Sequence, residues 1–181
     1  MHYSTVTTML LALTPAFTLG LPTLAARQTS DEGVGNAQVN WYQDTFLVSQ
    51  FLSEATSLSG QDLANAAASA LGSENDEPIH KGFIDSLLLN VATPDPNIVA
   101  ANNILITQGT FQFVVNGLTD LATNGAGYTP DQVLFSVNDI NTDRCNSVLP
   151  AIDTYLQAAA ALSGNAFPAA RASQTFGYRK E

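Results

Sequence analysis

The stretch Asp95–Gly127, DPNIVAANNILITQGTFQFVVNGLTDLATNGAG, decides how the chain is read. Between Pro96 and Thr119 it has no charged residue, and Ile104, Leu105, Ile106, Phe111, Phe113, Val114, Val115, Leu118 and Leu121 cover nearly every side of a helix drawn through it. Length and apolarity alone would suit a bilayer. Amides at Asn97, Asn102, Asn103, Gln108, Gln112 and Asn116 surround the same helix, and hydrocarbon offers them no hydrogen-bond partners. The stretch is therefore expected to be a central helix of an all-α bundle and not a transmembrane span. Asp95 followed by Pro96 suits its start, and Asn124-Gly125-Ala126-Gly127 suits its end.

Toward the N-terminus, a helix is expected from Pro78 to about Asn90. A break is expected ahead of it at Gly72 and Glu74-Asn75-Asp76-Glu77, because the residue before a proline is pushed away from helical geometry. Ser59, with Asp62 three residues on, reads as a variant capping box opening an alanine-rich helix through Ala64, Ala67 and Ala70. The first helix spans about Ala37 to Leu58, where Val39, Tyr42, Phe46 and Phe51 keep helical spacing. Toward the C-terminus, Thr129-Pro130-Asp131-Gln132 opens the last helix, and Val133, Val137, Ile140, Val148, Ile152, Tyr155 and Leu156 form its stripe. Pro150 predicts a kink near Asn146, and Gly164 closes the helix. No stretch alternates with the period of a strand. The expected architecture is an up-and-down bundle of four to five helices over residues 37–164.

Residues 1–26 read as a signal peptide: the apolar run Met9-Leu10-Leu11-Ala12-Leu13 is followed by Pro15 and small residues, with cleavage after Gly20 or Ala26. Residues 27–36 read as a flexible lead-in and 165–181 as an irregular tail. Export makes the single cysteine, Cys145, an odd count; its place beside the apolar stripe predicts a buried thiol, the alternative being a bond to another molecule. Between Gln28 and Ala170 the only cations are Lys81 and Arg144, against fifteen carboxylates. Such a surface repels phosphate backbones, so nucleic acid is excluded as a partner.

Few residues could carry chemistry. His80 is the only histidine beyond residue 26, and neither a nucleophile turn nor a strand to present one accompanies it. No catalytic residue and no cofactor is assigned. Glu77-x-x-His80 matches the element by which di-iron bundles place a carboxylate and an imidazole on one helix face. A second such element is missing, and only Glu54, Asp139 and Asp143 are at hand as further ligands. Arg144 stands mid-helix among apolar neighbours, so an inward-facing guanidinium is expected to form a structural ion pair with Asp85 or Glu77. Phe111, Val115 and Leu118, one turn apart on one face, are the candidate ligand-lining residues.

Two segments, Thr107–Ala122 (TQGTFQFVVNGLTDLA) and Asp143–Leu156 (DRCNSVLPAIDTYL), resemble segments of uncharacterised small secreted helical proteins of filamentous ascomycete fungi, over a span from Trp41 to about Leu162. The resemblance implies export, a helical fold and a second cysteine near the C-terminus; Asn165 to Glu181 carries none. At the level of architecture the chain is also similar to the hydrophobic-surface-binding and cell-wall mannoprotein group of fungi. These readings make the expected function that of a secreted or cell-wall-associated, non-enzymatic and effector-like protein binding an apolar or amphipathic ligand or surface. The expected partners are a lipid or hydrophobic surface, or a host or wall protein. The alternative is a degenerate ferritin-like metal-binding bundle using Glu77 and His80.

Overall fold

A computed structural model describes residues 33–164, and every element among them is helical. The expected signal peptide and C-terminal tail lie outside the described residues. Helix α1 (Val34–Glu54) begins three residues before the expected Ala37, because the Gly33 carbonyl already accepts from the amides of Asn36 and Ala37. After a short 3₁₀ turn (Ala55–Ser57) the chain enters α2 (Gly60–Leu88). Ser59 precedes it with no side-chain capping bond, contrary to the expected capping box.

The expected break before Pro78 is absent: α2 runs through that proline as one helix of 29 residues. A proline inside a helix removes one backbone bond and crowds a carbonyl of the preceding turn, a cost of ~3 kcal/mol. Here Glu74, Glu77, His80 and Lys81 around it are all buried against other helices, so tertiary contacts hold the backbone where local preference would break it.

The expected third helix is divided. Helix α3 (Pro96–Asn102) leads into a π turn (Asn103–Thr107), the chain reverses its local hand at Gly109 (φ +75°), and α4 (Thr110–Asn124) follows. A left-handed residue between two helices is where glycine costs least, and Thr110 Oγ1 donates to the Ile104 carbonyl at 2.8 Å across the break. Asp95 caps α3 through the Asn97 amide, and Gly125–Gly127 ends α4 with a 3₁₀ turn, both as expected.

Helix α5 (Pro130–Asp143) starts with a complete capping box between Thr129 and Gln132. It continues without a gap through a π turn (Arg144–Val148) into α6 (Leu149–Ser163). The expected disturbance near Asn146 is this π turn: Pro150 has no N–H to return to the preceding turn, and a wider turn accommodates the loss.

One apolar core joins these elements, with Trp41 and Val48 of α1, Leu63 and Ile84 of α2, Ile98 of α3, Val114, Leu118 and Leu121 of α4, Ile140 of α5, and Ile152, Tyr155 and Leu156 of α6. Trp41 and Tyr155 meet at 5.3 Å between ring centroids, tilted as aromatic pairs prefer. Small residues set the spacing. Ala64, Ala67 and Ala70 keep α2 thin, and a Cβ at Gly117 would stand 2.7 Å from Ile140 Cγ1.

This packing predicts opposite outcomes for two glycine-to-alanine changes within helices. Gly117→Ala forces Ile140 aside and is expected to cost ~1–3 kcal/mol, whereas Gly82→Ala, with open space around it, is expected to stabilise by ~0.4–1 kcal/mol. Urea denaturation of the two variants against the parent protein checks this; equal effects at both sites would refute the close α4–α5 approach.

Candidate functional site

The buried face of α2 changes character along its length. Leu63, Ala67 and Ala70 are apolar, but the same helical stripe continues as Glu74, Glu77, His80 and Lys81 before returning to Ile84. Four ionisable groups inside one helix face must be paired or neutralised. Their partners come from α1, from α3 and from the π turn ahead of α6.

Arg144, the first residue of that π turn, is 1% exposed. Its Nη1 donates to Glu74 Oε2 at 3.1 Å, and its Nη2 donates to the Thr45 carbonyl at 3.1 Å and to Ser49 Oγ at 3.0 Å. The expected ion pair therefore exists, but its carboxylate is Glu74, not Asp85 or Glu77. Asp85 instead accepts from Lys81 Nζ at 2.6 Å, and the same ammonium donates to Asn102 Oδ1 and lies 5.0 Å from the Tyr155 ring centroid. Both cations of the described residues thus point inward.

Glu77 stands one turn beyond Glu74 and accepts from Trp41 Nε1 at 2.8 Å. Complete burial, then the neighbouring Glu74, hold its carboxyl well above the ordinary range. Burial likewise lifts Glu74 to about 7, with Arg144 pulling the other way and Asp44 adding a smaller upward push. One guanidinium cannot neutralise two desolvated carboxylates, so burial pushes both toward their protonated forms.

His80 faces elsewhere. Its Nε2 lies 3.2 Å from Asp44 Oδ2 of α1 and 3.7 Å from Asp76 Oδ2 of its own helix. The sequence motif Glu77-x-x-His80 is thus split: the carboxylate joins Trp41, and the imidazole joins two aspartates the motif did not include. Among the other acids considered as ligands, Glu54 and Asp139 are exposed and Asp143 is half-buried.

Of the three candidate ligand-lining residues, Leu118 is fully buried in the core, Phe111 is half-buried and packs against it, and Val115 is half-buried. Open surface depressions lie beside Pro94, Pro96, Val99 and Thr107, and beside Tyr128, Gln132 and Phe135. Cys145 corrects the expectation of a buried thiol: it is exposed, because the π turn that carries Arg144 inward leaves the next side chain facing out.

No family model, curated protein or solved structure matches the chain.

The buried glutamates set a pH dependence. A folded-state pKa above the unfolded value means that folding binds the proton, so the contribution is complete below about 4.5 and is lost as pH rises through about 7. Glu74 faces Arg144, Glu77 and Asp44, and stability is expected to fall by ~3 kcal/mol between pH 5 and pH 8 on its account. Urea midpoints across that range check the slope, which should flatten in Glu74→Gln; a parent protein more stable at pH 8 than at pH 5 would contradict it.

Proposed function

We propose that the chain is an exported or cell-wall-associated, non-enzymatic and effector-like protein, an up-and-down bundle of four to five helices, whose residues 96–127 bind a neutral amphipathic or hydrophobic surface. One observation carries this reading: the segment Pro96–Gly127 is apolar enough to cross a membrane by composition, yet only 28% of its most apolar stretch is buried. A helix central to a soluble core would be mostly covered. Here Val99 is 47% exposed, Ile106 54% and Phe113 41%, while Phe111 and Val115 lie half-buried between the exposed face and the core.

Charge selects the kind of surface. Lys81 and Arg144 are both consumed by internal pairs, while Glu54, Asp62, Asp95, Asp131 and Asp139 are exposed. With no exposed cation among the described residues, anionic head groups are repelled, and a zwitterionic or uncharged apolar surface is favoured.

The full-length secreted protein is expected to sediment with zwitterionic phosphatidylcholine vesicles, more weakly as anionic phosphatidylglycerol is added. Ile106→Ser with Phe113→Ser should weaken that binding at least ~10-fold, since burying such side chains is worth ~1.5–3 kcal/mol each, and should leave the melting temperature nearly unchanged because both positions are exposed. Absence of binding by the parent protein, or binding only to anionic vesicles, would overturn the reading.

A further inference from the structure

We propose that Asp44, Asp76 and His80 form a binding site for a divalent transition-metal cation, with zinc as the best fit. The site is independent of the surface-binding reading and differs from the Glu77 and His80 pairing that the sequence motif suggests.

The first support is spacing. One ligand atom from each residue, the His80 imidazole nitrogen and one oxygen from each aspartate, lies within 4.8 Å of the other two. Zinc holds such atoms at ~2.0–2.2 Å, so tetrahedral ligands stand ~3.4 Å apart. The separations of 3.2 Å and 3.7 Å from His80 Nε2 to the two aspartate oxygens bracket that value.

The second support is independent of spacing. Asp44 is 5% exposed, and its Oδ2, aimed into the cluster, accepts no hydrogen bond from the described residues. The His80 ring nitrogen stands 3.2 Å away, at ion-pair distance. A buried carboxylate oxygen left this way is costly, and a cation held beside it would satisfy it.

Chemistry and access agree. Two carboxylates and a neutral imidazole balance a divalent charge, and a nitrogen ligand disfavours calcium and magnesium, which take oxygen. Zinc stands above manganese and iron in affinity for such a donor set. The Asp76 side chain is 39% exposed, which leaves one side open for entry and for water in a fourth position. Helices α1 and α2 fix the ligands from two directions, and the acidic surface raises the local concentration of cations.

Isothermal titration of the metal-stripped full-length protein with zinc chloride tests the site, with calcium chloride as comparator and melting temperature as a second readout. The parent protein should take up about one equivalent of zinc and melt higher as zinc is added. Asp76→Asn, at a half-exposed position where the fold tolerates the change, should weaken binding at least ~100-fold, the upper end of the loss from removing a mere outer partner. His80→Gln should do the same, and Glu77→Gln should retain zinc. The proposal fails if the parent protein shows no saturable uptake, if Asp76→Asn binds as tightly as the parent protein, if calcium binds as well as zinc, or if Glu77→Gln alone abolishes binding.

Discussion

The buried ion pair between Arg144 and Glu74 is the contact on which the arrangement of this chain depends, because it joins three helical elements inside the core. Glu74 lies in the middle of α2, Arg144 opens the π turn between α5 and α6, and the second guanidinium nitrogen reaches the α1 backbone at Thr45 and the Ser49 hydroxyl. Removing charges from water costs several kcal/mol per ion. The cost is offset only if the donors and acceptors are satisfied together, so the pair tolerates little variation in how α1, α2 and the π turn sit.

Two features that look like faults in the sequence follow from this constraint. Pro78 remains inside a continuous α2 because the residues around it are held by Arg144, Trp41, Asp44 and Asn102. The π turn at Arg144–Val148 widens the helix just ahead of Pro150 and brings Arg144 to the interior while Cys145 faces out. A helix interruption at a functional or structural contact is a common use of such turns. The pairing of both cations inside also has an outward consequence: among the described residues the exposed surface carries acids and no bases.

Much of the fold was legible from residue spacing. The Thr129 capping box, the Asp95 cap, the glycines at 125 and 127 and the disturbance ahead of Pro150 are local signals, each decided by a few neighbouring residues. Gly109 gives no local signal of its own, because the apolar run on both sides of it hides a single left-handed residue. The break predicted at Pro78 failed because tertiary pairing outweighed local preference. The site was legible in part. Arg144 requires an acid, but the identity of that acid depends on helix phase across three elements, and it is Glu74, not Glu77 or Asp85. A usable signal did exist: the seven-residue repeat through Leu63, Ala67, Ala70, Glu74, Glu77, Lys81 and Ile84 marks one continuous buried stripe once charged residues are allowed on it. Asp44 carried no such signal, since its partner His80 is far away along the chain.

The central claim is that Arg144 and Glu74 act as one unit that holds three elements together, and a double-mutant cycle tests it directly. Unfolding free energies measured at pH 8, where Glu74 is ionised, for Arg144→Met, Glu74→Leu and the combined variant separate the pair from its parts. Each single change should cost ~3–5 kcal/mol because it strands a buried charge, and the double variant should cost less than their sum by at least ~2 kcal/mol. Costs that add to within ~0.5 kcal/mol would show that the two side chains contribute separately and that the account is wrong.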